Sequence, residues 1–337
     1  MNENFNFSET RRPIEQVKLS EKELRIINGA GLTMEDLTNL LREPPYAEGS
    51  YALIFEVGGS EQKNVAKVWK NPQNDEIRAR HENAALRLLR KHKSTQAPRN
   101  LGYLPSETIL FEEKIKGKHL EEFDELTISR LAEALVKIHK IKLSSFGKLI
   151  EPRIKGTQQD YLMAEIGKLR EALSTSPGKP ELLKLIERAI DKFENAATSS
   201  PEAFRKRVFT LIHFDLNRNN ILQSNDNDKI IIIDWEQAAA GDNAMDIAKM
   251  FLKLNFTEEQ KIKFIEEYEK LFDKKDNSLQ ARLDVYAQFV LINSILWRLR
   301  VLKNTPKETT TVNEKEFYAR VKNNLDTELI KLKKHLS

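Results

Sequence analysis

The chain has 337 residues, of which 40% are hydrophobic and 31% are charged, a balance that excludes wholesale disorder. Its 55 Lys and Arg against 51 Asp and Glu give a net charge of +4, and these charges interleave along helical patterns, which does not indicate a nucleic-acid partner. There is no cysteine, so disulfides, thiolate metal sites and thiol nucleophiles are excluded and any metal must be oxygen-bound.

Residues 1–40 are predicted to form an N-terminal extension. The opening sequence MNENFNFSETRRP lacks the apolar core of a secretion signal, and the longest apolar runs fall short of the ~20 residues that a membrane helix needs. A cytoplasmic protein with no membrane partner is therefore expected. The stretch LSEKELRIINGAGLTMEDLTNLL predicts short helices, and Pro44 and Pro45 mark a boundary after them.

Residues 41–117 are predicted to form a small lobe rich in β-strands. The segments AEGSYALIFEV and NVAKVW have strand patterns, and TILFEEK predicts a further strand that runs into a turn at Gly117. Between them, RARHENAALRLLRK predicts a helix whose Ala85, Leu86 and Leu89 share one apolar face.

Residues 118–337 are predicted to form a larger, mostly helical lobe. Helical periodicity covers LTISRLAEALVKIHKI, DYLMAEIGKLREAL and PELLKLIERAIDKFENAA, and later AMDIAKMFLKL, TEEQKIKFIEEYEKLF and LDVYAQFVLINSILWRLRVL. His139 lies on the apolar face of the first of these helices and is interpreted as a packed core residue rather than a ligand.

The sequence HFDLNRNNIL, which begins at His213, contains the strongest chemical signal. Asp215 and Asn220 lie five residues apart on a polar loop, the spacing of the H-x-D-x-x-x-x-N loop of protein kinases. Asp215 is the candidate carboxylate for an acceptor hydroxyl, and Asn220 is a candidate metal ligand. His213 is interpreted as structural, because such a ring more often hydrogen-bonds the backbone and packs.

A second acid follows a predicted β-hairpin. The β-branched run Ile230–Ile233 predicts a buried strand that delivers Asp234 at its end. Phosphoryl transfer from ATP needs hard oxygen ligands for Mg²⁺ and a carboxylate at the acceptor, and these groups are present. Loops rich in Asn and Asp can serve merely as turns, but that interpretation does not account for the order of loop, hairpin and acid.

The segments HFDLNRNNIL, IIIIDWEQAAAGD and AMDIAKMF resemble the aminoglycoside phosphotransferase and choline kinase superfamily, a branch of the protein-kinase-like fold. This resemblance covers roughly residues 45–300 and implies a bilobal α+β fold. It also implies that Asp215 is the catalytic aspartate, that Asn220 and Asp234 bind the metal, and that Asp246 braces the catalytic loop.

Two residues depart from the family pattern. Many members carry Gly between the His and the Asp, and His two residues after the Asp, whereas this chain has Phe214 and Asn217. Because of these departures, the resemblance does not identify the acceptor substrate.

A kinase-like small lobe should supply a phosphate-covering turn, a strand lysine and a helix glutamate. Gly49 and Ser50 precede a strand and are candidates for the turn. Lys67 in NVAKVW is the candidate for the α- and β-phosphates, and Glu82 is its expected partner, with Glu76 as the rival acid.

The strand in TILFEEKIKGKHL resembles the hinge between the lobes. Backbone groups from Glu113 to Ile115 are then expected to meet the adenine. The alternative is an ordinary connecting strand.

The sequence offers two tests of the acceptor. Choline would need an aromatic cage, to which Trp235, Tyr286 and Trp297 could contribute, although aromatic residues on helices more often pack in the core. A polycationic aminoglycoside would need clustered carboxylates, but the acidic run from Glu266 to Glu269 lies among lysines. The basic ending ELIKLKKHLS would repel such a substrate.

The prediction is an ATP- and Mg²⁺-dependent kinase that phosphorylates a hydroxyl of a small molecule, aminoglycoside-, choline- or sugar-like. A protein Ser/Thr kinase is the alternative enzyme, disfavoured because no D-F-G or A-P-E follows Asp234. A nucleotide-binding pseudokinase is the alternative outside catalysis. It would require a broken site, whereas Lys67, Asp215 and Asn220 are all present.

Overall fold

The computed structural model describes residues 19–40, 44–49, 51–58, 64–151, 153–272, 276–304 and 312–336. They form two lobes, a smaller one built on a five-stranded sheet and a larger one that is mostly helical. The predicted bilobal α+β architecture is confirmed.

The sheet of the small lobe is antiparallel throughout, with strand order β1-β2-β3-β5-β4. Its β-branched and aromatic residues are buried at alternate positions or along whole strands, as expected for a sheet covered on both faces. The elements of this lobe are α1 (Glu21–Gly29), α2 (Met34–Leu40), β1 (Ala47–Glu48), β2 (Ala52–Val57), β3 (Asn64–Trp69), α3 (Pro72–Lys91), β4 (Asn100–Leu104) and β5 (Ile109–Glu113).

Helices α1 and α2 cover one face of this sheet. Ile27 and Leu37 are buried with Phe111 in a compact apolar cluster. Gly102 permits the close approach of α1, because a Cβ at that position would lie 2.3 Å from Ile26 Cγ2. Residues 21–40, assigned to an extension by the sequence, therefore complete the core of the small lobe, while residues 1–18 lie outside the described residues.

Helix α3 lies against the sheet and packs against the 3₁₀ helix Trp235–Gln237 of the large lobe. Asn71 caps it by accepting from Asn74 N, and Pro72 occupies its first turn, where no backbone donor is needed. The predicted apolar face is buried, with Leu86 and Leu89 each 1% exposed. The same face brings Glu82, which has no exposed surface, to the cleft between the lobes.

The large lobe contains two small antiparallel sheets, of strand order β11-β10-β6 and β7-β9-β12-β8, beneath a group of helices. Its strands are β6 (Gly117–His119), β7 (Lys142–Leu143), β8 (Gly147–Lys148), β9 (Phe209–Ile212), β10 (Ile221–Ser224), β11 (Ile230–Ile232) and β12 (Ala239–Gly241). Its α-helices are α4 (Glu125–His139), α5 (Gln158–Ser174), α6 (Pro180–Thr198), α7 (Asn243–Leu254), α8 (Glu258–Lys270), α9 (Leu279–Asn304) and α10 (Val312–Leu336), and short 3₁₀ helices span Pro201–Phe204, Arg218–Asn220 and Trp235–Gln237.

The predicted hairpin after the catalytic loop is confirmed. Strands β10 and β11 pair with Ile221 opposite Ile232. The predicted turn at Gly117 is wrong, because this glycine begins β6 and pairs with Ser224. A Cβ on Gly117 would lie 2.5 Å from the Gln223 carbonyl oxygen, so this residue is needed for close strand approach rather than for a turn.

Helix α9 is the central helix of the large lobe and packs along α7. Among the described residues it is the one helix long and apolar enough to cross a membrane by length and composition. Tyr286, Ile292 and Ile295 on α9 are each at most 1% exposed in the hydrophobic core, which accounts for its apolar composition.

Candidate active site

A cleft of about 830 Å³ lies between the lobes. The sequence-predicted residues that line it are Gly49, Lys67, Glu113, Ile115, Asp215, Asn220 and Asp234. Glu82 is buried behind Lys67, and Ser50 lies outside the described residues. The fold thus brings residues from β3, β5, the catalytic loop and the end of β11 into a single space.

Lys67 on β3 is the centre of the ion-pair network in this cleft. Its Nζ lies 2.6 Å from Glu82 Oε2 and 2.5 Å from Asp234 Oδ1. The predicted pair with Glu82 therefore forms, whereas the rival Glu76 lies at the surface, with an oxygen 3.8 Å from Arg80. Lys67 links the small lobe to the acid that follows β11.

The pKa values of these groups follow from burial and mutual contact. Burial alone would lower the pKa of Lys67, but the carboxylates of Glu82 and Asp234 raise it above its ordinary value. Burial likewise opposes ionisation of Asp234, yet the Lys67 ammonium holds the pKa of this carboxyl below its usual range. Lys67 therefore remains a cation and Asp234 an anion.

Two further acids in the cleft were not predicted. Burial raises the pKa of Glu112, on β5, to about 7, and burial with the charge of Asp234 raises that of Glu236. Arg78 Nη1 lies 3.1 Å from Glu236 Oε1. Around Lys67 the carboxylates outnumber the cations, which favours an added positive charge. Glu112 was missed because a Glu in a strand gives no signal of its burial.

Asp234 has φ 65° and ψ 63°, a left-handed conformation that few non-glycine residues adopt. Two hydrogen bonds hold the next residue, Trp235. Its N donates to Glu82 Oε1 at 3.1 Å, and its Nε1 donates to the Ile232 carbonyl at 2.7 Å. Such strain is typical of functional sites and here aims the carboxylate at the cleft.

Asp246 on α7 holds the catalytic loop, as the family resemblance implies. Its Oδ2 accepts from His213 N at 2.9 Å and its Oδ1 from Phe214 N at 2.8 Å. His139 Nε2 lies 3.2 Å from the same carboxylate, and its Nδ1 lies 2.7 Å from the Tyr268 hydroxyl. Burial opposes ionisation of Asp246, but these hydrogen bonds hold its pKa below the usual range. The predicted core position of His139 is confirmed.

His213 has the structural role predicted for it. Its ring is fully buried and stacks edge-on against Trp235, with centroids 4.7 Å apart. Nδ1 accepts from Asp215 N at 3.2 Å, which leaves the ring proton on Nε2 to donate to the Ile233 carbonyl at 2.9 Å. The ring therefore ties the loop that carries Asp215 to the strand that carries Asp234.

Asp215 itself is partly exposed to the cleft, with 31% of its side chain accessible. Asn217 Nδ2 donates to Asp215 Oδ2 at 3.2 Å, so this departure from the family pattern still contacts the candidate catalytic carboxylate. Asn220 Nδ2 donates to the Asp215 carbonyl at 2.9 Å, which leaves the amide oxygen of Asn220 as the end that could bind a metal.

The donor set fits one Mg²⁺ ion. Asn220 and Asp234 supply an amide and a carboxylate oxygen on neighbouring segments, since Ile233 N donates to the Asn220 carbonyl at 3.0 Å. No group of three or more His, Asp or Glu able to hold a metal occurs among the described residues. Mg²⁺ in phosphotransfer sites is generally bound through a few protein oxygens together with substrate phosphates.

The two remaining nucleotide predictions differ in outcome. Gly49 lines the cleft, but its N–H donates to the Ala52 carbonyl at 2.9 Å and so is already used within the turn. At the hinge, Glu113 N donates to the Arg99 carbonyl at 3.0 Å, whereas Ile115 makes no backbone hydrogen bond to another described residue. The backbone of Ile115 is therefore the hinge group open to a ligand.

The end of the cleft beside Asp215, where the acceptor is expected and which we call the acceptor end, is lined by α7 and α9. Of the three possible cage residues, Trp235 and Tyr286 are fully buried in the core, and only Trp297 lines the cleft. The basic C-terminal residues lie elsewhere, since Lys192 Nζ donates to the His335 carbonyl. The basic C-terminal residues are therefore not in a position to repel a cationic acceptor at the cleft, contrary to the prediction from the sequence.

These features define a phosphotransferase of the protein-kinase-like fold. The sequence profile described as the phosphotransferase enzyme family matches residues 44–283, well over half of the chain. The chain belongs to this family, which confirms the family and the class of enzyme that its motifs predict. In sequence, no curated protein is significantly similar to the chain.

Solved structures of similar fold include kinases of three substrates. An ethanolamine kinase from Plasmodium vivax has a TM-score of 0.61 and 18% identity, over 89% of this chain and 89% of its own. The choline kinase LicA from Streptococcus pneumoniae has a TM-score of 0.55 and 19% identity, over 81% and 89%. The aminoglycoside phosphotransferase APH(4)-Ia has a TM-score of 0.59 and 19% identity, over 88% and 98%.

Proposed function

We propose that this protein is an ATP- and Mg²⁺-dependent small-molecule kinase that acts in the cytoplasm. The observation that carries the proposal is the placement of the Lys67–Glu82–Asp234 network and of Asp215 in one cleft. This arrangement joins a phosphate-binding lysine, a metal-binding acid and an acceptor-facing carboxylate, which are the parts that phosphoryl transfer needs.

Each part has a distinct role in the proposed reaction. The backbone from Glu113 to Ile115 receives the adenine, and Lys67 contacts the α- and β-phosphates. Asn220 and Asp234 would hold Mg²⁺, which would supply positive charge to the transferring phosphoryl group. This assignment is consistent with the likeness in fold to APH(4)-Ia, a variant of which has been crystallised with AMP-PNP and hygromycin B.

Asp215 orients the acceptor hydroxyl and receives its proton. The acceptor oxygen forms a bond to the γ-phosphorus, the bond from that phosphorus to the β–γ bridging oxygen breaks, and ADP leaves. The contact from Asn217 positions the carboxylate for this step. A small-molecule acceptor is favoured over a protein by the similar fold of the ethanolamine and choline kinases.

Asp215→Asn tests the proposal. The variant should lose ADP release by roughly 10³-fold, because the acceptor hydroxyl is no longer oriented and deprotonated. The dissociation constant for Mg-ATP should stay within about twofold, since Asp215 is not assigned to the nucleotide. Steady-state ADP release and calorimetric titration measure the two quantities across a panel of alcohols, sugars, amino alcohols and aminoglycosides, with a generic protein substrate included.

The matched control is Asp228→Asn, at an exposed hairpin position where Asn tolerates the left-handed backbone. It should release ADP at the wild-type rate. Undiminished turnover by Asp215→Asn would overturn the assignment of Asp215. Binding of Mg-ATP with no turnover of any acceptor would favour the pseudokinase, and no binding of Mg-ATP would overturn the nucleotide site itself.

A further inference from the structure

The acceptor end of the cleft carries an excess of positive charge. Helix α7 contributes Lys249 and Lys253, one helical turn apart, and α9 contributes Arg300. Neither of these described helices contributes a carboxylate to the lining. The acid beside them is Asp215, whose Oδ1 lies 3.9 Å from Lys253 Nζ, so the cations outnumber the acid at this end.

Lys249 lacks an ionic partner. No carboxylate of the described residues lies within ion-pair distance of its Nζ, which instead lies 3.8 Å from the centroid of the Phe214 ring. Burial lowers the pKa of Lys249 to about 8 and outweighs the opposing effect of the Asp215 carboxylate, while the neighbouring Lys253 lowers this pKa further. A partly buried ammonium without a counter-ion gains from an anionic ligand.

One acid next to the cleft wall, on α10, is already paired within the fold. Glu328 of α10 accepts from Ser294 Oγ at 3.0 Å and from Arg298 Nε at 3.0 Å. Its Oε1 also accepts from Arg298 Nη2 at 3.1 Å, so the carboxylate is held in a two-point ion pair beside the cleft.

The ring of Phe214 supports the Lys249 ammonium, and the backbone of Phe214 is strained in this position. Its φ is 65°, a left-handed conformation that is strained for a bulky side chain. The two N–H bonds to Asp246 keep the loop in place, and the ring then forms a platform for the ammonium. Strain of this kind is retained where it serves a site.

We propose that the acceptor is a hydroxylated anion whose carboxylate or phosphate binds Lys249, Lys253 and Arg300 while its hydroxyl faces Asp215. This inference rests on the proposed function, because it assumes that Asp215 faces the acceptor. Lys67 already stands with Asp234 at the phosphate end, whereas Lys249 and Lys253 stand beside Asp215, so the added charges belong to the acceptor rather than to ATP.

The same charges disfavour the cationic acceptors. A polycationic aminoglycoside or a quaternary ammonium would bring positive charge within a few ångströms of Lys249 and Lys253, in a setting too dry for full screening. Trp297 is the one cage candidate in the cleft, and Lys253 Nζ already lies 5.7 Å from its ring centroid. A cation would have to displace that contact.

The test pairs each acid with its neutral counterpart. Glycerate and glycerol 3-phosphate are compared with glycerol, and gluconate with glucose, while choline, ethanolamine and hygromycin B serve as cationic probes. Calorimetry measures binding of each probe to the protein loaded with Mg²⁺ and the non-hydrolysable AMP-PNP, and ADP release measures turnover with Mg-ATP. The proteins are wild type, Lys249→Gln, Lys249→Arg and, as a lysine outside the cleft, Lys261→Gln.

The wild type should bind at least one acid tenfold or more tightly than its neutral counterpart and should turn over acids in preference to cations. Lys249→Gln should raise the dissociation constant and KM of the acid about tenfold with little change for the neutral probe, while Lys249→Arg keeps the preference. Lys261→Gln should behave as wild type, and the Mg-ATP dissociation constant should stay within twofold in every variant.

Two outcomes overturn the inference. One is that acids bind no more tightly than their neutral counterparts, whether or not turnover is seen. The other is that Lys249→Gln lowers kcat equally for all acceptors, which would assign the lysine to the transferred phosphoryl group. Turnover of neutral or cationic acceptors that depends on Asp215 would leave the proposed kinase function standing, whereas failure to bind Mg-ATP would remove that function as well.

Discussion

The two ends of the cleft differ in how their charges are neutralised. At the nucleotide end, Lys67 lies between Glu82 and Asp234. The loop that carries Asp215 is likewise held within the fold, because Asp246 accepts from two of its amides. At the acceptor end, Lys249 has an aromatic ring but no carboxylate of the described residues. The lysine at the first end is neutralised by carboxylates of the protein itself, whereas the lysine at the second has no carboxylate of the described residues within ion-pair distance.

This difference has a thermodynamic consequence. Groups that are satisfied within the fold should contribute to its stability, because removing one leaves a buried partner unpaired. Groups held for a ligand should contribute little, or should cost stability, because their charge is desolvated without compensation. Substitutions at the two ends should therefore change the free energy of unfolding in opposite directions.

Among the charged groups of the two ends, the largest effect is expected from Asp246→Ala. Three buried donors, His213 N, Phe214 N and His139 Nε2, would lose their acceptor, so the free energy of unfolding should fall by about 4 kcal/mol. Urea-induced unfolding measures the change, and ADP release should fall with it because the catalytic loop is no longer held.

Asp228→Asn is the control for this variant, since its side chain is 61% exposed and should change stability by less than about 0.5 kcal/mol. A loss below about 1 kcal/mol for Asp246→Ala would show that the loop is held by packing instead, and would break the contrast between the two ends.

Lys67→Met should have the next largest effect. It leaves Glu82 and Asp234 without their shared cation in a buried setting, which should lower the free energy of unfolding by about 3 kcal/mol. Affinity for Mg-ATP should fall as well, and thermal unfolding with and without nucleotide separates the two effects. Lys70→Met, which removes a more exposed pair with Glu48, should cost less than about 1 kcal/mol. Equal losses in the two variants would contradict the prediction.

The sequence predicts the loop, hairpin and ion-pair residues far better than the lysines on α7, and the reason is distance along the chain. Asp215, Asn220 and Asp234 lie within twenty residues, so one loop and one hairpin place them, and local pattern suffices. Lys67 and Glu82 lie on adjacent elements, and their order identifies the pair that the structure forms.

The acceptor end could not be predicted because it depends on how α7 packs along α9. Lys249 and Arg300 are separated by about fifty residues in the sequence. Taken alone, each is typical of a charged residue on the solvated face of a helix. Glu112 was missed for a similar reason, since its burial depends on strand pairing. Gly117 was assigned to a turn because glycine in a sequence does not distinguish a turn from a close approach between strands.

Lys249→Met should stabilise the protein, which is the reverse of the effect at the nucleotide end. The pKa of Lys249 is lowered to about 8, below that of the unfolded chain, so protonation at neutral pH favours unfolding. The charged groups that act on Lys249 are Asp215 on the catalytic loop, Glu165 on α5, and Lys253 and Asp246 on α7. After discounting for solvent access, the variant should gain about 1–2 kcal/mol at pH 7.

The sign of this effect fixes its pH dependence. Between pH 8 and the pKa of an unfolded lysine, the folded wild type binds fewer protons than the unfolded chain, so its stability rises with pH. The advantage of Lys249→Met should therefore be complete below pH 8 and disappear by about pH 10.5. Urea unfolding at several pH values measures it, with Lys261→Met, at a lysine outside the cleft, as the control variant. A destabilised variant at pH 7 would show that Lys249 has a partner within the fold.

Trp297→Ala should change stability least. The indole is 46% exposed and lies at the cleft wall, so its removal should alter the free energy of unfolding by less than about 0.5 kcal/mol. Its loss should still raise the KM of the best acceptor several-fold, because the ring lines the space that the acceptor fills. Trp235→Ala, at a fully buried indole, should instead unfold the protein or destabilise it by about 3–5 kcal/mol. A comparable loss of stability at Trp297 would mean that the acceptor end, too, is built into the core, and the division between the two ends would then fail.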